Sequence, residues 1–138
     1  MFISTECPVS NAYNERMEQL YESFRTKGIA IVGINANKEE DVKRIASHCK
    51  EHGFKFPVLK DEQNKIADAY GAQVTPETFV IDPEGKLLYH GRIDDSKNIA
   101  KVKSADLADA LTKLLAAKEL TVTETKALGC TIKRIVVD

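Results

Sequence analysis

Apolar residues along this chain come in two rhythms, and the alternation between them predicts the elements. Met17, Leu20, Tyr21 and Phe24 recur at i, i+3, i+4 and i+7, the spacing of a helix that buries one face. Lys27-Gly28 closes that helix with a last-turn cation and a C-terminal glycine. Residues 29–34 are then almost continuously apolar, as in a strand covered on both faces of a parallel sheet. Val42, Ile45, Ala46 and Cys49 mark a second helical stripe, ended by His52-Gly53. Phe56-Pro57-Val58-Leu59 reads as a short extended run, and Ile66, Ala69 and Tyr70 as a short helix before Gly71. Thr78-Phe79-Val80-Ile81 and Leu87-Leu88-Tyr89 flank the turn Asp82-Pro83-Glu84-Gly85 and form a hairpin. Ser104 is placed to cap a last helix that turns Leu107, Leu111, Leu114 and Leu115 inward.

With Met1-Phe2-Ile3 as the end of a buried strand, the order is β-α-β-α-(β)-α-β-β-α, a βαβ unit followed by a ββα unit. The fold class is therefore α/β, a mixed central sheet flanked by helices in the thioredoxin-like arrangement. No repeat and no linker rich in Gly, Pro or Ser divides the chain, so residues 1–138 read as a single domain. Residues 118–138 follow the last helix. Their β-prone pieces, Thr121-Val122-Thr123 and residues 132–137, make them a C-terminal extension wrapping the domain.

Composition removes several function classes. The chain is 43% hydrophobic and 30% charged, which suits a folded core and not a disordered chain. Lys plus Arg number 20 against 21 Asp plus Glu, a formal net charge of −1, so no basic face for nucleic acid is expected. No apolar run approaches the roughly 18 residues of a membrane helix, and no membrane partner is expected. Three cysteines are too few, and odd, for a secreted disulfide scaffold. Met1 runs straight into Phe2-Ile3-Ser4 without the basic start of a signal peptide. These features place the protein in the cytoplasm, with export as the alternative if the N-terminus is truncated. No cofactor and no metal are called for. His48 and His52, i and i+4 on the second helix, read as a solvated pair and not as ligands.

One residue stands out for chemistry. Cys7 falls where a strand ends and a helix begins, and Pro8 suits the first helical turn because its missing N–H costs nothing there. The unpaired N–H groups and positive end of that helix favour a thiolate, the nucleophilic form of cysteine. Glu6 opposes this, since a neighbouring carboxylate raises a thiol pKa. Cys7 is nevertheless expected to be the fastest thiol to alkylate. Cys49 lies on an apolar stripe and reads as core.

Phe2-Ile3-Ser4-Thr5-Glu6-Cys7-Pro8-Val9-Ser10 resembles the active-site turn of the thioredoxin superfamily, and more closely its peroxiredoxin-like redoxin branch, of alkyl hydroperoxide reductase and thiol-specific antioxidant type. The resemblance continues through Val32-Gly33-Ile34-Asn35, Phe56-Pro57-Val58-Leu59-Lys60-Asp61, Ala69-Tyr70-Gly71-Ala72, Thr75-Pro76-Glu77-Thr78, Gly91-Arg92-Ile93-Asp94-Asp95 and Gly129-Cys130-Thr131. It implies a redox protein with Cys7 as nucleophile. It also implies that Thr75-Pro76 is the cis-proline loop, which faces the cysteine and offers its backbone to an extended substrate.

Two departures from the family pattern matter. Ser10 replaces the second cysteine of Cys-x-x-Cys and cannot form a disulfide, though it can hydrogen-bond the Cys7 thiolate. Ser4-x-x-Cys7 fits the end of the peroxiredoxin motif, but that motif's proline would precede Met1, so the fold is expected to be N-terminally shortened. Arg92 is the candidate for polarising a peroxide. Cys130 is either the partner that resolves Cys7 or a packed cysteine. His90, Asp94 and Asp95 are expected at the surface.

The leading function is thiol–disulfide exchange, a thiol-dependent oxidoreductase. The alternative is a thiol peroxidase that passes through Cys7 sulfenic acid, with antioxidant activity. A non-catalytic redox-fold binding module is the third. The implied partners are a protein or small-molecule thiol, disulfide or hydroperoxide and an external thiol reductant, with a homodimer left open.

Overall fold

The computed structural model describes residues 1–136, so Val137 and Asp138 of the expected extension lie outside the described residues. Pro8 opens α1 (Pro8–Ala12), and Tyr13 separates it from α2 (Asn14–Phe24), which buries Met17, Leu20 and Phe24. Gly28 ends this stretch in the left-handed conformation, φ 86°. β1 (Gly33–Asn35) is shorter than the apolar run that announced it: Ile29 and Ile31 pack into the core, but parallel ladder partners begin only at Gly33.

α3 (Val42–His52) starts at Asp41, whose carboxylate accepts the Arg44 N–H at 2.8 Å. Its inner face differs from the expected stripe. Ile45 and His48 are buried and Cys49 is half-buried, while Val42 and Ala46 face outward. β2 (Val58–Lys60) pairs in parallel with β1. α4 (Lys65–Tyr70) is started by Asp61, which accepts the N–H groups of Ile66 and Ala67 at 3.0 and 2.8 Å, and it buries Ala67, not Ala69.

β3 (Val74–Thr75) precedes the antiparallel hairpin of β4 (Thr78–Ile81) and β5 (Leu87–Gly91). α5 (Asp106–Leu115) buries Leu107, Ala110 and Leu111, with Leu114 half-buried and Leu115 exposed. Ser104 does not cap this helix. Its hydroxyl donates to the Asp106 side chain at 2.7 Å, and Ala105 stands at the cap without a side-chain bond. β6 (Cys130–Thr131) pairs antiparallel with β3.

Residues 1–3 bridge the β1–β2 pair to the start of the β4–β5 hairpin, while β3 and β6 form a separate two-stranded ladder. Ile34 N–H donates to the Met1 carbonyl at 2.7 Å and Ile3 N–H to that of Ile34 at 2.9 Å, in parallel with β1. On the other edge, Phe2 and Glu77 exchange antiparallel bonds of 2.8 and 3.2 Å just ahead of β4. Phe2 and Ile3 point to opposite faces, as successive strand residues must. Ile3 enters a core with α2, α5 and Tyr89; Phe2 enters a second with Ala36, Ala67, Ala72 and Ile132.

After α5 the chain returns along β5. Thr125 N–H donates to the His90 carbonyl, and His90 N–H to that of Thr123, both at 3.0 Å, so residues 123–125 lie parallel to β5. Ile132 then packs inward, a burial that contributes about 1.5–3 kcal/mol.

Candidate active site

The turn that presents Cys7 is held from below by a carboxylate the sequence did not announce. Glu40, 3% exposed, accepts the Ser4 hydroxyl at 2.7 Å, the Thr5 hydroxyl at 2.7 Å, the Thr5 N–H, and the Asn35 side-chain amide at 2.9 Å. Burial pushes its pKa up. The hydrogen bonds from Thr5, Asn35 and Ser4 outweigh that and hold the carboxyl below the usual glutamate range. Ser4 passes the order on: its hydroxyl oxygen accepts the N–H groups of Glu6 and Cys7, each at 3.1 Å.

Cys7 is buried and caps α1, its sulfur accepting the Ser10 N–H at 3.3 Å. Ser10 thus serves the sulfur through its backbone. Its hydroxyl, fully buried, accepts the Ser4 N–H at 3.1 Å and so locks the turn instead of meeting the thiol. Glu6, the charge set against the thiolate, is exposed and ion-paired with Arg44.

Thr75-Pro76 is a cis peptide, and the Thr75 carbonyl oxygen lies 3.5 Å from the Cys7 sulfur. Cys130 pairs with Thr75 across the β3–β6 ladder and is disulfide-bonded to Cys7, the Cα atoms 5.9 Å apart. Cys7, Ser10, Thr75, Pro76 and Cys130 are therefore brought to one place. Gly129 makes the approach feasible, because a Cβ there would overlap the Thr75 carbonyl oxygen.

A cavity of about 160 Å³ opens beside the cysteines, lined in part by Glu6, Glu39, Glu40 and Lys133. A larger one, about 390 Å³, lies on the other side of Pro76 and Gly129, between Val9, Tyr13, Arg92 and Leu128.

Other candidates are placed elsewhere. Arg92 belongs to the wall of the second cavity and is committed to Asp106 at 2.7 Å, so it does not polarise anything held at Cys7. Asp94 is buried, contrary to expectation, and His90 is half-buried. His90 stacks on Phe79 and pairs with the buried Glu77, which accepts the Gln73 and Val74 N–H groups just ahead of the cis bond. Asp94 accepts the Tyr13 hydroxyl at 2.8 Å and an Arg16 N–H at 2.7 Å, fastening the α1–α2 junction to the loop after β5. Asp95 is exposed, as expected, and accepts the N–H groups of Lys103 and Ser104.

The His48 and His52 rings lie 4.4 Å apart, tilted by 50°, but His48 is buried and bonds to the Asn11 side-chain oxygen at 2.8 Å. It is not half of a solvated pair. Burial lowers its pKa, and His52 lowers it further. Cys49 is free and half-buried, and burial pushes its thiol pKa up.

A model of the AhpC/TSA family matches residues 1–90. Among curated proteins, the thiol-disulfide oxidoreductase ResA of Halalkalibacterium halodurans is 32% identical over 88 residues, covering 63% of this chain and 48% of that protein. The chain thus spans about half the length of the curated relatives it matches. The crystal structure of a hypothetical protein from Sinorhizobium meliloti superposes with a TM-score of 0.90 at 36% identity, over 99% of this chain and 78% of that one. A thioredoxin-like protein in its oxidised form superposes with a TM-score of 0.68 at 19% identity, over 86% of this chain and 76% of that one, and shows the thioredoxin-like fold.

Proposed function

Because the chain belongs to the AhpC/TSA family, we propose that it is a thiol–disulfide oxidoreductase in which Cys7 is the nucleophile and Cys130 the resolving thiol. The observation that carries this reading is the Cys7–Cys130 bond, made at the start of α1 and against the backbone of Thr75. In the reduced chain the Cys7 thiolate attacks a sulfur of the substrate disulfide. A mixed disulfide forms as the other substrate sulfur leaves as thiolate. Cys130 thiolate then attacks the Cys7 sulfur, closing the Cys7–Cys130 bond and releasing the second substrate thiolate. An external dithiol reopens the bond and is itself oxidised.

The peroxidase alternative has less support. Peroxide cleavage wants a fixed cation beside the thiolate, and Arg92, the candidate for that role, is turned to Asp106 in the wall of the other cavity. The test is turnover of a small aromatic disulfide and of hydrogen peroxide, each with excess dithiol, by the wild type, Cys7→Ser and Cys130→Ser. Disulfide reduction that vanishes in Cys7→Ser and slows in Cys130→Ser is expected. Peroxide consumption outpacing disulfide reduction would move the protein to the peroxidase class. Turnover of neither would leave a binding module.

A further inference from the structure

We propose that an extended peptide paired with Thr75 must carry glycine immediately before its disulfide-bonded cysteine, and that residues 126–131 are a built-in stand-in for such a peptide. The proposal rests on the redox reading above and adds the partner's chemistry. Backbone pairing along a strand edge recognises an extended chain whatever its sequence, and specificity comes from what flanks the ladder. Here the flanking rule is visible in the chain itself. Cys130 sits opposite Thr75 with its sulfur on Cys7, which is the position a substrate cysteine must take in a mixed disulfide. The residue before it passes so close to the Thr75 carbonyl oxygen that a Cβ would overlap it, and glycine alone fits. The Thr75 hydroxyl is buried and has no hydrogen-bond partner among the described residues.

The stand-in is built to leave. Upstream it is pinned at Thr125, whose hydroxyl meets Tyr89 at 2.7 Å and the Arg92 N–H at 2.9 Å. Downstream it is pinned at Ile132, which is buried and donates its N–H to Gln73 at 2.9 Å, and at Lys133, whose N–H reaches Asn37 at 2.9 Å. Between these anchors the hydrogen-bonded and covalent hold, among the described residues, is the two-residue β3–β6 ladder and the disulfide, and Leu128 is 69% exposed. Reduction of the Cys7–Cys130 bond leaves a strap of six residues tethered at both ends but without its covalent hold. A substrate peptide then takes the strap's place, and the returning strap brings the Cys130 thiolate to displace it.

The experiment uses the full chain carrying Cys130→Ser, reduced at Cys7. The probe is the peptide Lys-Ala-Leu-Gly-Cys-Thr-Ile-Lys, its cysteine in a mixed disulfide with a chromogenic aromatic thiol. Attack by Cys7 on the peptide sulfur links peptide to protein and releases the aromatic thiolate, read by absorbance and by mass. A second peptide replaces the glycine by alanine, and both rates are normalised to attack by a small free thiol. The glycine peptide is expected to couple about tenfold faster than the alanine peptide. Gly129→Ala in the chain is expected to speed coupling of the glycine peptide, because the strap no longer seats. The peptide comparison stands even where that variant fails to fold. Equal rates for the two peptides, with Cys7 still reacting normally with the free aromatic disulfide, overturn the docking rule alone. A Cys7 inert to the aromatic disulfide too removes the redox reading and this inference with it.

Discussion

Truncating Glu40 to Ala is the sharpest test of how the Cys7 turn is built. The change removes the acceptor of four hydrogen bonds, from the Ser4 hydroxyl, the Thr5 hydroxyl and N–H, and the Asn35 amide. Thr5 is half-buried and can turn to water, but Ser4 and Asn35 are 3% and 1% exposed and cannot. Each buried donor left unpaired costs about 1–3 kcal/mol, so the variant should lose about 4 kcal/mol. Against a total stability of about 5–15 kcal/mol that is a large fraction. With a slope near 2 kcal/mol/M, the urea midpoint of the oxidised protein should fall by about 2 M. Glu40→Gln keeps one acceptor oxygen and should lose about half as much.

The two variants also separate charge from hydrogen bonding. The folded-state pKa of Glu40 lies below its ordinary value, because its donors outweigh the burial. The charged form's contribution is therefore complete above the ordinary glutamate range and is lost as pH falls through the folded value. The stability gap between wild type and Glu40→Gln should narrow on acidification. An unchanged midpoint in Glu40→Ala, or a gap that widens in acid, would refute the account of the turn.

Three further outcomes can be checked. Asp94→Asn strands a buried guanidinium and should cost about 3–5 kcal/mol by urea unfolding, while Arg16→Met with Asp94→Leu should cost less than the single change; a double variant as weak as the sum of both singles defeats this. His48 has a lowered pKa in the fold, so the unfolded chain takes up its proton first, and stability should decline as pH falls below the ordinary histidine range; thermal scans of His48→Gln should lack that decline, and an unaltered profile argues against it. In the reduced protein, iodoacetamide mapping should label Cys7 before Cys49, whose thiol burial pushes up, and the reverse order would unseat Cys7 as nucleophile.

The hairpin, the α2 stripe and the cysteine at a strand-to-helix junction were legible because each is local, encoded by neighbours a few residues apart. What stayed hidden is non-local or polar. Periodicity assigned Val42 and Ala46 to the inner face of α3, yet His48 goes inward because the Asn11 side chain offers it a partner 37 positions away. Glu40 lies 36 residues from Ser4, and no spacing rule links a loop carboxylate to a turn hydroxyl. Arg92 sits after the hairpin as anticipated, but the Asp106 carboxylate takes its charge. The extension was visible as β-prone fragments only. Its strands are two or three residues long, too short for a period, and their register comes from Gly129 and Ile132 meeting a surface the rest of the chain builds.

On the proposed cycle, Ser10 and Cys130 together explain how a site with a single helix-borne cysteine closes its disulfide. A thiol at position 10 would have to give up the bond by which the Ser10 hydroxyl locks Ser4, and the turn that presents Cys7 depends on that bond. The second sulfur comes instead from a strand opposite Thr75. On the proposed cycle this relocation has a kinetic consequence. A resolving thiol on the same helix is always within reach, so the mixed disulfide is short-lived whatever the substrate. A resolving thiol on the strap reaches Cys7 only by reoccupying the edge on which the substrate lies. Release of product and recovery of the strap are then one event, and substrates that pair well with Val74 and Thr75 should hold the mixed disulfide longer than those that pair badly.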